Sequence, residues 1–187
     1  MIQPQNKSTV APLIFANFII LVLALIQSWG VPLIIWTYWL QSVIIGIFHV
    51  CKIIRYKESP PGNIHMYKGK PVYVSPKTRF ISAFFFLFHY GAFHIGFMMS
   101  LMNSPLPDNF LKSMGIAALV FFTNHLYSFF RHRDTNGTFF SPYIRVAPMH
   151  LVTYYFGSMV TGPLILIFFI FIKTVADVFS HLYQHKV

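Results

Sequence analysis

The sequence predicts an all-α, polytopic transmembrane helical bundle, and three observations carry that prediction. Of the 187 residues, 56% are hydrophobic and only 10% are charged, whereas a soluble domain carries roughly a quarter charged residues. Several apolar stretches are about 20 residues long, which is the length of a helix that crosses a bilayer. The basic residues gather between alternate apolar stretches instead of being spread along the chain. We therefore expect residues 1–187 to form a single integral membrane domain.

Six spans follow from the apolar stretches, at residues 11–28, 33–54, 80–102, 110–130, 143–161 and 164–183. The last two are separated by Gly162 and Pro163. One helix running through that break would be about 60 Å long, twice the hydrocarbon thickness of a bilayer. A hairpin at Gly162–Pro163 is therefore favoured. The alternative is a kinked or re-entrant segment, which would leave five spans.

The distribution of charge predicts the orientation in the membrane. The chain has 14 Lys and Arg against four acids. With the amino terminus inside, twelve basic residues lie in cytoplasmic segments, Lys112 lies outside and Lys173 falls within the last span. Cytoplasmic loops of membrane proteins are enriched in Lys and Arg in this way. We expect a multi-pass protein of the inner (plasma) membrane with both termini in the cytoplasm.

The same charges limit the partners. The basic residues form no aromatic-interleaved patch and match no nucleic-acid motif, so we expect the lipid bilayer as partner and no nucleic acid. Anionic headgroups are expected to contact three arginines at the cytoplasmic face, namely Arg131, Arg133 and Arg145. Nothing in the sequence indicates a homo-oligomer or excludes one. The single cysteine, Cys51, rules out an internal disulfide and argues against thiol redox chemistry.

Ionisable residues inside the predicted spans are the candidates for function, because such residues are costly in a membrane and often mark functional sites. Depths counted from the charged helix ends, at 1.5 Å per residue, put His125, His150 and Asp177 roughly 8–9 Å inside the cytoplasmic boundary. His181 lies near that level and His89 lies close to the midplane. Polar residues of the same spans are expected to support this centre, namely Gln41, Asn124, Ser128 and Lys173.

Helical spacing adds detail to this polar centre. Asp177 and His181 are four residues apart and share a helix face. Lys173 is the i−4 neighbour of Asp177, so the two are predicted to form an intrahelical ion pair. His89 and His94 are five apart, about 140° around a helix, and cannot share a face. We expect His89 to point inward and His94 to lie apart from the centre.

Three functions fit such a centre, and the sequence leaves them open. Imidazole and carboxylate ligands suit Zn or Fe, and haem is a weaker fit because no gap for a macrocycle is evident. A small transporter or proton-relay protein would use the same residues. In a non-enzymatic membrane protein, the polar residues would only fix helix packing. No activated nucleophile is evident, so enzymatic activity is neither indicated nor excluded.

Four motifs, in order, resemble those of an uncharacterised family of prokaryotic multi-pass membrane proteins, a domain of unknown function. They are "YWLQSVIIGIFHVCK", "FHYGAFH", "SPYIRVAPMH" and "KTVADVFSH". The resemblance brings no known activity. It implies that the motif set comprises His89, Tyr90, Gly91, His125, Ser128, Pro142, Tyr143, Arg145, His150, Lys173, Asp177 and His181. The family pattern usually has a glutamate where this chain has Gln41, and the loss of that carboxylate weakens the metal interpretation.

Overall fold

The structure, a computed structural model, describes residues 7–55, 66–67, 70–71, 74–103, 105–106, 108–131, 142–144, 146–147, 150 and 163–184. Five helices are described over their length: α1 (Lys7–Ile26), α2 (Val31–Arg55), α3 (Pro76–Leu101), α4 (Phe110–Arg131) and α5 (Pro163–Gln184). The described residues of 142–150 are also helical, and we call them the His150 segment. The predicted all-α bundle is confirmed.

Five of the six predicted helices have a counterpart described over its length, and the predicted span 143–161 is described only in the His150 segment. Helices α1 and α3 each begin four residues earlier than predicted, at Lys7 and at Pro76. The start of α3 is fixed by a cap at Ser75. The Ser75 hydroxyl accepts a hydrogen bond from the backbone N–H of Thr78 at 3.2 Å, and proline is well suited to the first helical position. The loop before α3 contains a short antiparallel pair that was not expected, β1 (Met66–Tyr67) and β2 (Lys70–Pro71). Gly162 lies outside the described residues, so the hairpin there stays a prediction.

Helix α2 is the central element of the bundle. It packs against α3 on one side and α4 on another, while α1 packs against α4 and α5. In the apolar window of α2, 61% of the residues are buried, against 22% for α3 and for α4. Side chains on α2 can therefore contact several helices at once.

The outer faces of the helices are strongly apolar. Within the described part of the chain, three helices, α2, α3 and α4, are long and apolar enough to cross a membrane, and the apolar part of α1, residues 10–26, is shorter. Large hydrophobic side chains point away from the bundle on several helices, among them Phe84, Phe88, Leu111 and Phe179. Exposed apolar side chains in this number suit contact with another apolar phase.

The contact between α2 and α3 depends on a glycine. The Tyr90 ring lies against Gly46, where an added Cβ would come within 2.5 Å of the ring carbon Cε1. The ring has little freedom to move, because its hydroxyl donates to the backbone carbonyl of Ser42 at 2.8 Å. It also stacks on Phe86, with ring centroids 4.9 Å apart. Gly46 thus sets how closely the two helices approach.

Gly46→Ala is therefore expected to destabilise the protein by about 1–3 kcal/mol through overpacking, which outweighs the gain of up to ~1 kcal/mol in helix propensity. The matched control is Gly91→Ala on α3, where an added Cβ meets nothing within 4 Å. Thermal unfolding in mild detergent should show a lower Tm for Gly46→Ala and an unchanged or slightly higher one for Gly91→Ala. Equal Tm values for the two variants would contradict the close approach.

Candidate functional site

A group of four polar side chains lies in the interior of the bundle where α1, α2 and α5 meet. Lys173 and Asp177 come from α5 and are 6% and 4% exposed, Asn17 comes from α1 and is 1% exposed, and Gln41 comes from α2 and is 2% exposed. We call these four residues the Lys173 centre. Lys173 lies at the middle of α5, about 15 Å from either end at the helical rise per residue. The Lys173 ammonium group therefore lies far from both ends of α5.

The lysine ammonium is fully occupied by acceptors from three helices. Its Nζ donates to the Asp177 carboxylate one turn away, which forms the predicted intrahelical ion pair. It also donates to Gln41 Oε1 and to Asn17 Oδ1, the latter at 3.0 Å. An ammonium has three N–H donors, so each has an acceptor. The Asn17 amide also donates to Asp177 Oδ2 at 3.2 Å, which closes the network.

Aromatic rings cover the lysine on its remaining side. The Lys173 Nζ lies 4.4 Å from the ring centroid of Tyr38 and 5.6 Å from that of Phe121, within the range of cation–π attraction. Both rings are fully buried. The Tyr38 hydroxyl has no hydrogen-bond partner among the described residues, and leaving such a group unsatisfied is costly. The centre thus combines an ion pair, two amides and a buried hydroxyl in an otherwise apolar interior.

The two histidines of α3 exchange the roles expected from the sequence. His94 is buried, at 3% exposure, whereas the His89 side chain is exposed. His89 Nδ1 lies 2.7 Å from the Tyr143 hydroxyl, and its ring stacks on Phe85. The expectation that His89 points inward is wrong.

The reason is the angular position of His89 on α3. The buried face of α3 carries Ala83, Phe86, Tyr90 and His94, at helical spacings of three and four. His89 precedes Tyr90 by one residue and is therefore turned about 100° away from that face. Both histidines lie within α3, and the expected directions of their side chains are not those observed.

The other predicted ligands lie in separate places. His125 on α4 is buried beside Phe48 of α2, with ring centroids 6.2 Å apart. His150 is buried near His94, with ring centroids 5.7 Å apart. Asp177 belongs to the Lys173 centre. The His181 side chain lies outside the described residues.

Among the residues that the structure describes, no group of three or more His, Cys, Asp or Glu could hold a metal ion. The metal site therefore stays a prediction, and the observed contacts do not support it. Side chains at one depth in the membrane can still point in different directions around their helix axes. The predicted ligands do so here.

Of the predicted supporting residues, Gln41 and Lys173 belong to the Lys173 centre and the others do not. Asn124 lines a groove of about 680 Å³ between α1 and α4, and Ser128 is half-buried on α4. The predicted headgroup contacts remain untested, because the side chain of Arg131 and the whole of Arg133 and Arg145 lie outside the described residues.

Asn17 is not among the predicted site residues, because its amide side chain is not ionisable. The sequence does carry a signal for it, since Asn17 is the one polar side chain in the apolar run from residue 10 to residue 26. A single amide in such a run needs a hydrogen-bond partner from another helix. Here that partner is the Lys173–Asp177 pair.

The fold and the site define a helical protein with several span-length helices and a charged pair in its interior. The chain matches the DUF6498 family, a family of unknown function, over residues 2–187, and it belongs to that family. The expected membership of an uncharacterised family is thereby confirmed, while its prokaryotic distribution stays a prediction. No curated protein and no solved structure matches the chain.

Removing one member of the buried pair should be much worse than removing both. Asp177→Leu leaves the Lys173 charge uncompensated and Lys173→Met leaves the Asp177 charge uncompensated, and we expect each to lose about 3–5 kcal/mol of stability. The double variant Lys173→Met/Asp177→Leu removes both charges and should recover most of that loss. Unfolding free energies of the single and double variants in mixed detergent micelles would measure the coupling.

The control for this cycle is Thr174→Ala, next to Lys173 on α5. The Thr174 hydroxyl donates only to the Ile170 carbonyl of its own helix, at 2.8 Å, so this variant should stay close to the parent protein. Additive effects of the two single substitutions in the pair would show that Lys173 and Asp177 do not interact.

Proposed function

We propose that the chain is a small multi-pass membrane protein that relays protons through the Lys173 centre, alone or coupled to a transported solute. The observation that carries the proposal is the Lys173–Asp177 pair at the middle of α5, buried and in contact with Asn17 of α1 and Gln41 of α2. Ionisable groups inside a membrane commonly mark ion pathways and proton relays.

Stabilisation of helix packing does not by itself account for the buried Lys173–Asp177 pair. Hydrogen bonds between membrane helices average about 0.6 kcal/mol. Apolar residues of similar volume often replace a buried ion pair with no loss, or with a gain of about 1–4 kcal/mol in stability. A centre with two charges and two amides from three helices therefore exceeds what the contact between α1, α2 and α5 requires.

The pair can pass a proton without losing its hydrogen bonds. A proton that arrives from one side neutralises the Asp177 carboxylate while Lys173 remains an ammonium. Release of one proton from Lys173 to the other side leaves a neutral amine beside a neutral acid. Transfer of the acid proton from Asp177 to Lys173 then restores the ion pair. One proton has crossed, and the carbonyl oxygens of Asn17 and Gln41 accept from Lys173 in each state.

The surface and the charge pattern support a membrane location. The exposed faces of α3, α4 and α5 carry many large apolar side chains, which suit lipid tails. The segments that hold twelve of the 14 basic residues fall on one side if both termini face the cytoplasm. We propose the plasma membrane, the inner membrane where there are two, with the bilayer itself as the partner of the outer faces. Arg131, Arg133 and Arg145 would then contact anionic headgroups.

Proton flux tests the proposed function. We expect proteoliposomes that contain the protein and an internal pH indicator to change internal pH when a membrane potential is imposed. Lys173→Gln/Asp177→Asn keeps polar side chains of similar shape but no titratable group, and it should lower the flux at least about tenfold, in line with removal of a proton-transferring group. Thr174→Ala should retain the flux. Wild-type flux equal to that of protein-free liposomes, or undiminished flux in the double variant, would contradict the relay.

Labelling of single cysteines tests the orientation separately. In a Cys51→Ser background, Val187→Cys should be protected from a membrane-impermeant maleimide in intact cells and labelled in inside-out vesicles. Asp108→Cys, in the exposed turn between α3 and α4, should show the opposite pattern. The reasoning is that the basic segments remain in the cytoplasm. Labelling of Val187→Cys in intact cells would contradict the proposed topology.

A further inference from the structure

A second polar group lies at the contact between α2 and α3, built around the buried His94. Three short contacts join it to its neighbours. His94 Nδ1 lies 2.8 Å from the carbonyl oxygen of Tyr90, and His94 Nε2 lies 2.8 Å from the Ser42 hydroxyl oxygen. That same hydroxyl oxygen lies 2.7 Å from the carbonyl oxygen of Trp39. Each of the three distances is that of a hydrogen bond.

These three contacts need one more proton than the neutral side chains possess. A carbonyl oxygen can only accept, so the contact with Tyr90 requires a proton on His94 Nδ1. A neutral imidazole then has a bare Nε2. The single Ser42 hydroxyl proton faces two acceptors, His94 Nε2 and the Trp39 carbonyl, and satisfies one of them at a time. With a second proton on His94, all three contacts become hydrogen bonds.

We propose that His94 is a proton-binding site in which uptake of a proton at Nε2 turns the Ser42 hydroxyl from His94 to the Trp39 carbonyl. In the neutral state Ser42 donates to Nε2. In the charged state Nε2 donates to Ser42, and Ser42 donates to Trp39. The proton comes from water and no other group is released, so the site gains one positive charge.

The surroundings of His94 determine how many protons the site takes. Among the described residues, its titratable neighbours are Tyr90 on its own helix and His150 on the His150 segment. Helix α2 presents Ser42 and Trp39, whose indole N–H donates to the His94 carbonyl oxygen at 3.0 Å. No carboxylate, lysine or arginine is among the described contacts of His94. Two imidazolium rings as close as His94 and His150 would repel each other, so the pair takes up one proton beyond those of the two neutral rings.

This site is separate from the Lys173 centre, although the two share a helix. Ser42 follows Gln41 directly on α2, and the two side chains point to different partners, His94 and Lys173. None of the residues of the Lys173 centre takes part in the three contacts of His94. Proton binding at His94 therefore does not rest on the proposed relay and can be measured without it.

The test is nitrogen NMR of ¹⁵N-histidine-labelled protein in lipid nanodiscs, titrated over about pH 4 to 8, a range that brackets the ordinary imidazole pKa of about 6.5. The His94 signals are those lost in His94→Gln. At high pH we expect a protonated Nδ1 and a bare Nε2, and on acidification a proton at Nε2 with Nδ1 unchanged. A neutral form with its proton on Nε2, or no change over the range, would overturn the proposal.

Ser42→Ala provides the matched comparison and a second means of assignment if His94→Gln does not fold. It removes the acceptor for the Nε2 proton, and a hydrogen bond to a charged group is worth about 1.5–3 kcal/mol, so proton affinity at one histidine should fall roughly tenfold or more. Ser113→Ala changes a buried serine on α4 that does not touch His94, and it should leave the titration unchanged. Equal titrations in the two serine variants would count against the switch of the Ser42 hydroxyl.

Discussion

The pairing of the Lys173 ammonium with the Asp177 carboxylate in the bundle interior is the constraint on which the surrounding structure depends. An uncompensated charge in an apolar interior is far more costly than a hydrogen bond is favourable. The pair must therefore be surrounded by acceptors and donors that stay in place. Asn17 and Gln41 supply them, which holds α1, α2 and α5 in one register. The rings of Tyr38 and Phe121 close the remaining side.

Helix α2 connects the Lys173 centre to α3. Its residue Gln41 contacts the lysine, and the next residue, Ser42, contacts His94 on α3. One turn further on, Gly46 lets the Tyr90 ring pack against the helix backbone, and the Tyr90 hydroxyl returns to the Ser42 carbonyl. A change of protonation on either side of α2 therefore acts on neighbouring residues of one helix.

Much of the fold follows from the sequence, because apolar runs of span length and the residues that interrupt them determine helices directly. The ion pair was also predictable, since Lys173 and Asp177 are four residues apart on one helix. The direction of His89 and His94 was not, because an almost entirely apolar helix such as α3 gives no periodic pattern that separates an inner face from a lipid-facing one. Nor was the partnership of Asn17 with α5, which joins residues 160 positions apart through helix packing that no local pattern specifies.

Acceptors from three helices hold Lys173 in the interior. Solid-state NMR of ¹³C,¹⁵N-labelled protein in lipid bilayers tests this arrangement most directly, through carbon–nitrogen distances measured from Lys173 Nζ. We expect short-range correlations to the Asp177 carboxyl carbon and to the side-chain amide carbons of Gln41 and Asn17. A Lys173 Nζ that correlates with none of these carbons would contradict this arrangement.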